Sequence, residues 1–468
     1  MAYDDRLADS VEGVDGNEEL FSRFRHKKLG VTRSGQEVVE APFPAAPTAL
    51  EGLGVGTSLI HKLILKHLLI SGALRTDELA ARLAIPVSLL EEPTAFLRKE
   101  MMVEARGEGS AGISGLLRLN LSERGYQRAR VYMEENTYAG PVPVPLEQYR
   151  RQIAAQTVRQ QVASRRRVDE VFRHIVINPD NKTQLGAAFN SGGSIFLYGP
   201  PGTGKTFLAS QLVHLLHGDV AIPHAVEVQG QIIRVFDPVN HEPVETAQAA
   251  GIGTEVDRNM QGADDARWVR CKRPVIVAGG ELSLEMLDLE YHPNIGFYEA
   301  PLQMKANGGI FLIDDLGRQV APTSAVLNRW IVPLENEVDY LSLHTGAKFQ
   351  IPFDILPMFA TNLDPESIAD EAFLRRLGYK IHVGYVTPEE YHSIFQQYCE
   401  ANGLAYSPDM VDELIEKFYR TSGRHLVACH PRDLINKVID FSIYEGVRPS
   451  INMDMMKKAW NAYFVLED

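Results

Sequence analysis

Residues 199–206 of this chain read GPPGTGKT. The apolar run SIFLY comes directly before them at 194–198, and FLASQLV follows at 207–213. This order is typical of a strand, a glycine-rich loop and a helix, which is the setting that the pattern G-x-x-x-x-G-K-[ST] requires. Glycines let such a loop curl so that its backbone N–H groups point inward at phosphate oxygens. The stretch therefore predicts a nucleotide phosphate site on an α/β fold.

Two side chains of this phosphate loop, the name used below for residues 199–206, carry specific predictions. Lys205 is expected to reach the β- and γ-phosphates of ATP, and the Thr206 hydroxyl is expected to bind Mg²⁺. The residues predicted to bind the nucleotide are Gly199, Pro200, Pro201, Gly202, Thr203, Gly204, Lys205, Thr206 and Phe207.

The composition is that of a globular protein with two or three domains. The 468 residues carry a formal net charge of -14, so any contact with nucleic acid needs a local basic patch. Cys271, Cys399 and Cys429 are scattered and give neither a disulfide framework nor a metal-binding spacing. Since the sequence has no signal-peptide pattern and no membrane-length apolar run, we expect a cytoplasmic protein.

The first 54 residues are predicted to be a largely disordered tail. Acids dominate up to position 19, a short basic stretch occupies 23–28, and prolines and alanines follow at 41–47. No periodic pattern is long enough to bury an apolar face.

Residues 55–138 are predicted to form a small domain of three helices and a hairpin, which resembles a winged helix. The helices are expected at 59–69, 77–83 and 88–99, and a glycine-rich tip at 107–112 is expected to join the two strands.

Protein docking and DNA binding are alternative roles for this domain. From 55 to 135, eleven Lys and Arg residues balance ten Asp and Glu residues. Glu91 and Glu92 lie at the start of the helix that would enter the major groove. Because phosphate neutralisation dominates DNA affinity, these acids favour protein docking.

Residues 139–167 are predicted to be a linker that begins as a stiff, extended spacer at Pro141, Pro143 and Pro145. Seven arginines face three acids between 140 and 175. They indicate a solvated helix lying against the acidic remainder of the chain, or alternatively a patch that touches phosphates or nucleic acid. The first interpretation is favoured.

Residues 168–386 are predicted to form the nucleotide-binding core, and 387–468 a helical domain. Short apolar runs are expected to be buried strands of one parallel sheet: 194–198, 225–228, 275–278, 310–313 and 355–360. Helices of the last domain are expected at 389–401, 409–420, 432–445 and 453–465.

Polar side chains follow two of these strands. Asp314 and Asp315 come directly after the run 310–313, and Asn362 follows 355–360. The carboxyl ends of the strands are where α/β sheets bind ligands. Asp314 is therefore expected to hold Mg²⁺ through water, Asp315 to orient or deprotonate the attacking water, and Asn362 to position that water.

Three arginines are predicted to act near the γ-phosphate. Arg375 and Arg376 lie at a helix end and suit an arginine finger that reaches into a neighbour's site, although alone they are better explained by surface salt bridges. Arg432, at the start of a helix in the last domain, is expected to contact the γ-phosphate and couple that domain to the nucleotide state.

Together these stretches resemble the AAA+ ATPases. The phosphate loop, "IFLIDD", "FATN", "FLRR" and "PRDL" are similar, in order and spacing, to that family's Walker A, Walker B, sensor 1, arginine-finger and sensor 2 motifs. The resemblance covers about 168–465 and implies an αβα sandwich with a five-stranded parallel sheet and a C-terminal helical lid. It also implies that ATP and Mg²⁺ bind between identical subunits of a hexameric ring.

Three features depart from the family pattern. Asp315 stands where most members have Glu, so weaker water activation is expected, although the DnaC/IstB-like branch has a similar "IDDLG". The phosphate-loop lysine and the first Walker B aspartate are 109 positions apart, which predicts an insertion at about 230–305. Arg375 and Arg376 compete for the finger role, and Arg376 is favoured because it directly precedes the apolar residue that usually follows the finger.

The predicted insertion contains a hairpin at 226–236 and an aromatic pair, Phe297 and Tyr298, after a glycine. Aromatic–glycine loops line the central pore of AAA+ unfoldases, so this pair would either grip a polypeptide there or pack in a core, and core packing is favoured. A second hairpin at 341–351 resembles that of the MoxR and enhancer-binding branches. The GAFTGA loop of the latter is absent, which argues against a sigma-factor activator.

Three functions fit these patterns. The favoured one is a ring-forming ATPase that remodels or assembles a protein client. The second is a DNA-associated ATPase or transcriptional regulator that reads DNA through the winged-helix domain. The third is a slow nucleotide switch, which the shorter Asp315 side chain suggests.

Overall fold

The computed structural model describes residues 43–107, 117–244, 264–368 and 371–464. Several predictions lie outside these residues: the tail before position 43, most of the hairpin tip at 107–112 and the middle of the insertion at 245–263. Within the described ranges, no helix is both long enough and apolar enough to cross a membrane.

The strands of the described chain are, in order, β1 (Leu74–Arg75), β2 (Val103–Gly107), β3 (Leu117–Leu121), β4 (Val144–Pro145), β5 (Ile195–Tyr198), β6 (Val220–Pro223), β7 (Ala225–Val228), β8 (Gln231–Arg234), β9 (Trp268–Cys271), β10 (Val275–Ala278), β11 (Glu290–His292), β12 (Phe297–Glu299), β13 (Ile310–Ile313), β14 (Val338–Ser342), β15 (Lys348–Pro352), β16 (Leu356–Thr361) and β17 (Tyr379–His382).

The α-helices are α1 (Leu50–Leu53), α2 (Thr57–Ser71), α3 (Thr76–Leu83), α4 (Glu91–Lys99), α5 (Glu123–Glu135), α6 (Leu146–Ala155), α7 (Arg165–Val171), α8 (Pro179–Ser191), α9 (Lys205–Gln211), α10 (Leu302–Lys305), α11 (Thr323–Asn336), α12 (Pro365–Ile368), α13 (Glu371–Leu374), α14 (Pro388–Ala401), α15 (Pro408–Leu414), α16 (His430–Glu445) and α17 (Met453–Tyr463).

A five-stranded parallel sheet forms the centre of the nucleotide-binding core, in the order β10-β13-β16-β5-β17. Alternate residues of its strands face opposite sides. Leu312 and Met358 pack with α8 and α9, whereas Phe311 and Phe359 pack with Trp330 of α11. Helices therefore cover both faces, and the α/β sandwich with a five-stranded parallel sheet is confirmed.

One predicted strand of this sheet is wrong. Residues 225–228 form β7 of a second sheet, and the fifth core strand is β17, which the sequence analysis did not count. β7 is joined to β8 by only two residues, Gln229 and Gly230, with φ of 51° and 80°. Such a tight turn makes the following strand an antiparallel neighbour, whereas a parallel neighbour requires a long crossover.

The second sheet is built mainly from the insertion, with β4 added from the predicted linker, and the limits of the insertion differ from the predicted 230–305. It has the order β11-β12-β8-β7-β4 and mixes parallel and antiparallel pairs. β6 comes directly before the β7–β8 hairpin in the chain, β9 comes after it, and these two strands pair with each other. The insertion therefore begins no later than Val220. β10 lies inside the predicted range but returns to the core sheet. The predicted hairpins at 226–236 and 341–351 are both present.

The N-terminal module, residues 50–138, has helices α2, α3 and α4 close to the predicted positions. Its three-stranded antiparallel sheet has the order β1-β3-β2. Helix α5 follows the hairpin and was not predicted. The module's core includes Ile232 and Phe297 of the second sheet, so the two share one hydrophobic cluster.

Two segments predicted to lie outside the folded domains are packed into them. Residues 43–54 belong to the predicted tail, yet Leu53 is fully buried, and its carbonyl oxygen accepts a 2.9 Å hydrogen bond from Arg267. In the predicted linker 139–167, β4 pairs with β7 and Tyr149 of α6 is buried. The tail segment is anchored mainly by Leu53, which is too little for a periodic pattern to reveal. The linker buries Val142, Val144, Tyr149, Ile153 and Val158, but these lie in a strand, a helix and the turns around them, so they share no single period.

The linker arginines bind backbone carbonyls and neighbouring acids. Arg150 donates to Gln350, Arg159 to Gly192 and Arg167 to His214 through backbone oxygens. Arg151 and Arg166 pair with acids four residues away on their own helices. These contacts favour the structural interpretation of the basic segment over a phosphate-binding patch.

The helices predicted after residue 387 are confirmed as α14 to α17. They share a hydrophobic core of their own, and this C-terminal helical domain is called the lid below. The second of them is continued by a π-helical turn, Ile415–Arg420.

Phe297 and Tyr298 are core residues, as favoured, with exposed fractions of 7% and 1%. Phe297 packs edge-on against Tyr138 at 5.7 Å, and the Tyr298 hydroxyl contacts His344. Neither ring is available to grip a polypeptide.

Replacing Phe297 with Ala should lower the free energy of unfolding by about 3–5 kcal/mol, because it leaves a cavity between the N-terminal module and the second sheet. Chemical denaturation of the full chain measures this, with Tyr444→Ala, at an 88% exposed position, as the control. Unchanged stability in Phe297→Ala would contradict the packing described here.

Candidate active site

The phosphate loop lies between β5 and α9, at the carboxyl end of the central sheet. Gly199, Gly202 and Gly204 have φ of 140°, 77° and 92°, a region that residues with a Cβ rarely adopt. The Thr203 hydroxyl closes the loop by donating to the Pro200 carbonyl at 3.0 Å. These positive φ values give the curled backbone on which the predicted phosphate site depends.

Lys205 points back into this loop and is only 6% exposed. Its ammonium group donates to the carbonyl oxygens of Gly199 at 2.9 Å and Pro200 at 2.7 Å, and to Asn362 Oδ1 at 2.7 Å. Burial lowers the pKa of Lys205, and the carboxylates of Asp315 and Asp314 oppose that shift. The cation is held at the position where the loop would receive phosphate oxygens.

Thr206 and Asp314 form an oxygen-rich pair beside the lysine. The Thr206 hydroxyl donates to both carboxylate oxygens of Asp314, at 2.8 and 3.0 Å. Hydroxyl, carboxylate and water oxygens, together with substrate phosphates, are what Mg²⁺ binds in nucleotide sites. The residues present therefore fit Mg²⁺, which Thr206 and Asp314 would hold.

Asn362 joins the lysine to the second aspartate. Its Oδ1 accepts from Lys205, and its Nδ2 donates to Asp315 Oδ1 at 2.9 Å. Asn362 directly follows β16, which lies between β5 and β13 in the sheet, so this strand end falls between the phosphate loop and the aspartates. The structure brings together the predicted residues Lys205, Thr206, Asp314, Asp315 and Asn362.

Asp315 has a left-handed backbone, with φ of 48°. Asp and Asn visit this region more readily than other residues with a Cβ, for which it costs about 1–2 kcal/mol. The left-handed turn therefore accommodates Asp at this position. This is a structural reason to find Asp here, although the resemblance stated in the sequence analysis predicts Glu.

The lid is docked on the phosphate loop. The Cys429 backbone N–H, at the start of α16, donates to the Gly202 carbonyl at 3.1 Å. A Cβ on Gly202 would lie 2.6 Å from Cys429 Sγ and 2.9 Å from Val427 Cγ1. Sequence analysis missed this contact, because a scattered cysteine gives no signal of its neighbours.

A cavity of about 530 Å³ adjoins the loop between the core and the lid. Its walls come from 176–184, from the end of β17 with the following residues 383–387, and from Thr203 and Ala428. On one wall, Asn181 Nδ2 donates to the His382 carbonyl at 3.0 Å. The sequence offered no motif for this cavity, since segments far apart in the chain build it.

Two of the predicted arginines, Arg376 and Arg432, pair with acids of the same chain. Arg376 Nε donates to Glu335 at 2.6 Å, whereas Arg375 is exposed. Arg432 is paired with Asp433 at 2.8 Å, a hydrogen bond that raises the pKa of Arg432. Their proposed roles at the γ-phosphate remain predictions.

Comparison with known proteins gives a family match for the lid and distant structural likenesses. The family described as "Domain of unknown function (DUF8689)" matches residues 387–462. No curated protein matches the sequence.

Among solved structures, three mutants of Thermotoga maritima RuvB are similar to this chain. The first is 15% identical, with a TM-score of 0.34 over 60% of this chain and 69% of that chain. The second is 14% identical, with a TM-score of 0.32 over 66% of this chain and 73% of that chain. The third is 15% identical, with a TM-score of 0.31 over 66% of this chain and 72% of that chain.

Gly202→Ala should destabilise the chain more than Gly204→Ala. Both positions have positive φ, but a Cβ at Gly204 meets no atom within 4 Å, whereas one at Gly202 collides with the lid. The extra loss should be about 1–3 kcal/mol, as for other overpacked sites. Denaturation of both variants measures it, and equal losses would show that the lid does not dock on the loop in solution.

Proposed function

We propose that this chain binds ATP with Mg²⁺ and hydrolyses it, as a ring-forming ATPase that acts on a protein client. The observation that carries this proposal is the continuous hydrogen-bonded set of Lys205, Asn362 and Asp315, next to the pair of Thr206 and Asp314. These groups supply a cation for phosphates, oxygen ligands for Mg²⁺ and a carboxylate for water activation.

Phosphate binding would exchange the partners of Lys205. Its ammonium group now donates to two carbonyls of its own loop, and phosphate oxygens would replace them as acceptors. When bound, Mg²⁺ supplies neutralisation of the phosphate charge. Thr206 and Asp314 are the residues that would hold it.

The cavity beside the loop suits the nucleoside. Its volume of about 530 Å³ is in the usual range for small-molecule sites. It opens between the core and the lid, next to Thr203 of the loop. A nucleotide bound in this way would touch both domains, which supports coupling of the lid to the nucleotide state.

Asp315 is the group proposed to activate water. Its carboxylate is exposed at the sheet edge, and the Asn362 amide fixes one of its oxygens. A carboxylate held in this way can orient a water molecule and accept its proton as it attacks the γ-phosphate.

An arginine from a neighbouring subunit would complete the site. The sequence pattern favours Arg376, but that residue is engaged with Glu335 in the chain, whereas the adjacent Arg375 is exposed. Arg376 would have to leave Glu335 before it could reach a neighbouring subunit, whereas Arg375 would not. This supports Arg375 as the finger and Arg376 as its structural neighbour.

The N-terminal module, which resembles a winged helix, is proposed to dock the client. Glu91 and Glu92 are both exposed on the first turn of α4, the helix that would face DNA. Two acids there would be repelled by phosphates, which favours a protein partner. Salt-sensitive binding of duplex DNA to the full chain would reverse this choice.

Lys205→Ala should lower ATP turnover by about 100-fold or more, because it removes a donor aimed at the transferring phosphate. Steady-state phosphate release measures this, with the exposed Lys348→Ala as a control and with chelation of Mg²⁺ as a second test. Equal turnover by wild type and Lys205→Ala would refute the proposed activity.

Mixing two inactive variants should restore turnover if an arginine acts between subunits. In a mixed ring, an Asp315→Asn subunit would donate its arginine to the intact water-activating site of an Arg375→Ala subunit. The same mixture made with Arg376→Ala identifies which arginine acts in this way. Failure of both mixtures to recover activity would contradict a shared site.

A further inference from the structure

The turn after β13 is fixed on both sides of Asp315. The Asp314 N–H donates to the Ala278 carbonyl, and the Leu316 N–H donates to the Ala360 carbonyl, both at 2.8 Å. Asp315 lies between these two anchored residues with its left-handed backbone. The Asp315 carbonyl accepts from the Arg318 N–H at 3.0 Å, and a side chain also binds the carbonyl groups of the turn.

One side chain, Gln319, contacts three backbone groups of this turn. Its Nε2 donates to the carbonyl oxygens of Asp314 at 2.9 Å and Asp315 at 3.0 Å. Its Oε1 accepts from the Gly317 N–H at 2.8 Å. An amide is suited to this position, because it offers donors and an acceptor at once.

We propose that Gln319 is a positioning residue for hydrolysis, one that holds Asp315 in its left-handed conformation and so aims the carboxylate. The inference rests on the proposed ATPase function and adds a residue that the AAA+ resemblance does not assign. Gln319 holds the backbone of Asp315, while Asn362 holds its carboxylate. When one of these two hydrogen bonds is removed, the carboxylate swings away from the attacking water.

A purely structural role for Gln319 makes a different prediction from a positioning role. If Gln319 only satisfies backbone groups, its replacement lowers stability and leaves turnover per folded molecule unchanged. If it acts through Asp315, its replacement lowers kcat while nucleotide affinity, which depends on the phosphate loop, stays the same.

The test compares Gln319→Ala and Gln319→Met in the full chain, each alone and combined with Asp315→Asn. The Met variant keeps the length of the side chain without its hydrogen bonds, so it remains informative where the Ala variant folds poorly. Gln396→Ala serves as the matched control, because that exposed lid residue hydrogen-bonds to Glu400 of its own helix, away from the turn after β13. Single-turnover and steady-state ATP hydrolysis are measured after folding is verified by thermal unfolding.

We expect kcat to fall about tenfold or more in the single Gln319 variants, with KM for ATP changed less than about twofold. In the Asp315→Asn background the same replacements should change the rate less than about twofold, because the group they position is gone.

Two results would overturn the inference: a kcat close to wild type in folded Gln319 variants, or an equal fall in the Asp315→Asn background. The ATP turnover of Lys205→Ala distinguishes failure of this inference from failure of the proposed ATPase function. If Lys205→Ala abolishes turnover while the Gln319 variants retain it, only the inference fails. If Lys205→Ala hydrolyses ATP as fast as the wild type, the proposed ATPase function and the positioning role of Gln319 are both wrong.

Discussion

The two-ended hydrogen bonding of the Asn362 amide is the interaction on which the site depends. Its oxygen accepts from Lys205 and its nitrogen donates to Asp315, at 2.7 and 2.9 Å. This bridge is available because β16 lies between β5 and β13, so three strand ends meet at one edge of the sheet. The strand order thus places a cation, an amide and a carboxylate side by side without any contribution from long loops.

The same strand order explains what the sequence could and could not predict. Glycines, a lysine and acids at strand ends predicted the phosphate loop, Asp314, Asp315 and Asn362, because each motif is local. The run at 225–228 was placed in the wrong sheet, since an apolar strand carries no mark of its partners. The cavity was missed for a related reason, since segments far apart in the chain build it. Gln319 was missed although its backbone partners lie within five residues of it, because these contacts have no sequence motif.

The lid and the N-terminal module are attached to the core in different ways. The lid has a hydrophobic core of its own and meets the phosphate loop at Gly202, so nucleotide binding there would act on both. The N-terminal module instead shares a core with the second sheet through Phe297, and it is not tethered by a free linker. A client held by this module would therefore be attached to the insertion through packed side chains.

Binding of a non-hydrolysable ATP analogue, measured by calorimetry with and without Mg²⁺, tests the central claim most directly. Mg²⁺ should tighten binding by about tenfold or more in the wild type. Thr206→Val, which removes the hydroxyl at nearly constant volume, should lose most of that gain. No binding by the wild type, or a Mg²⁺ effect that is the same in both proteins, would contradict the assignment of this site.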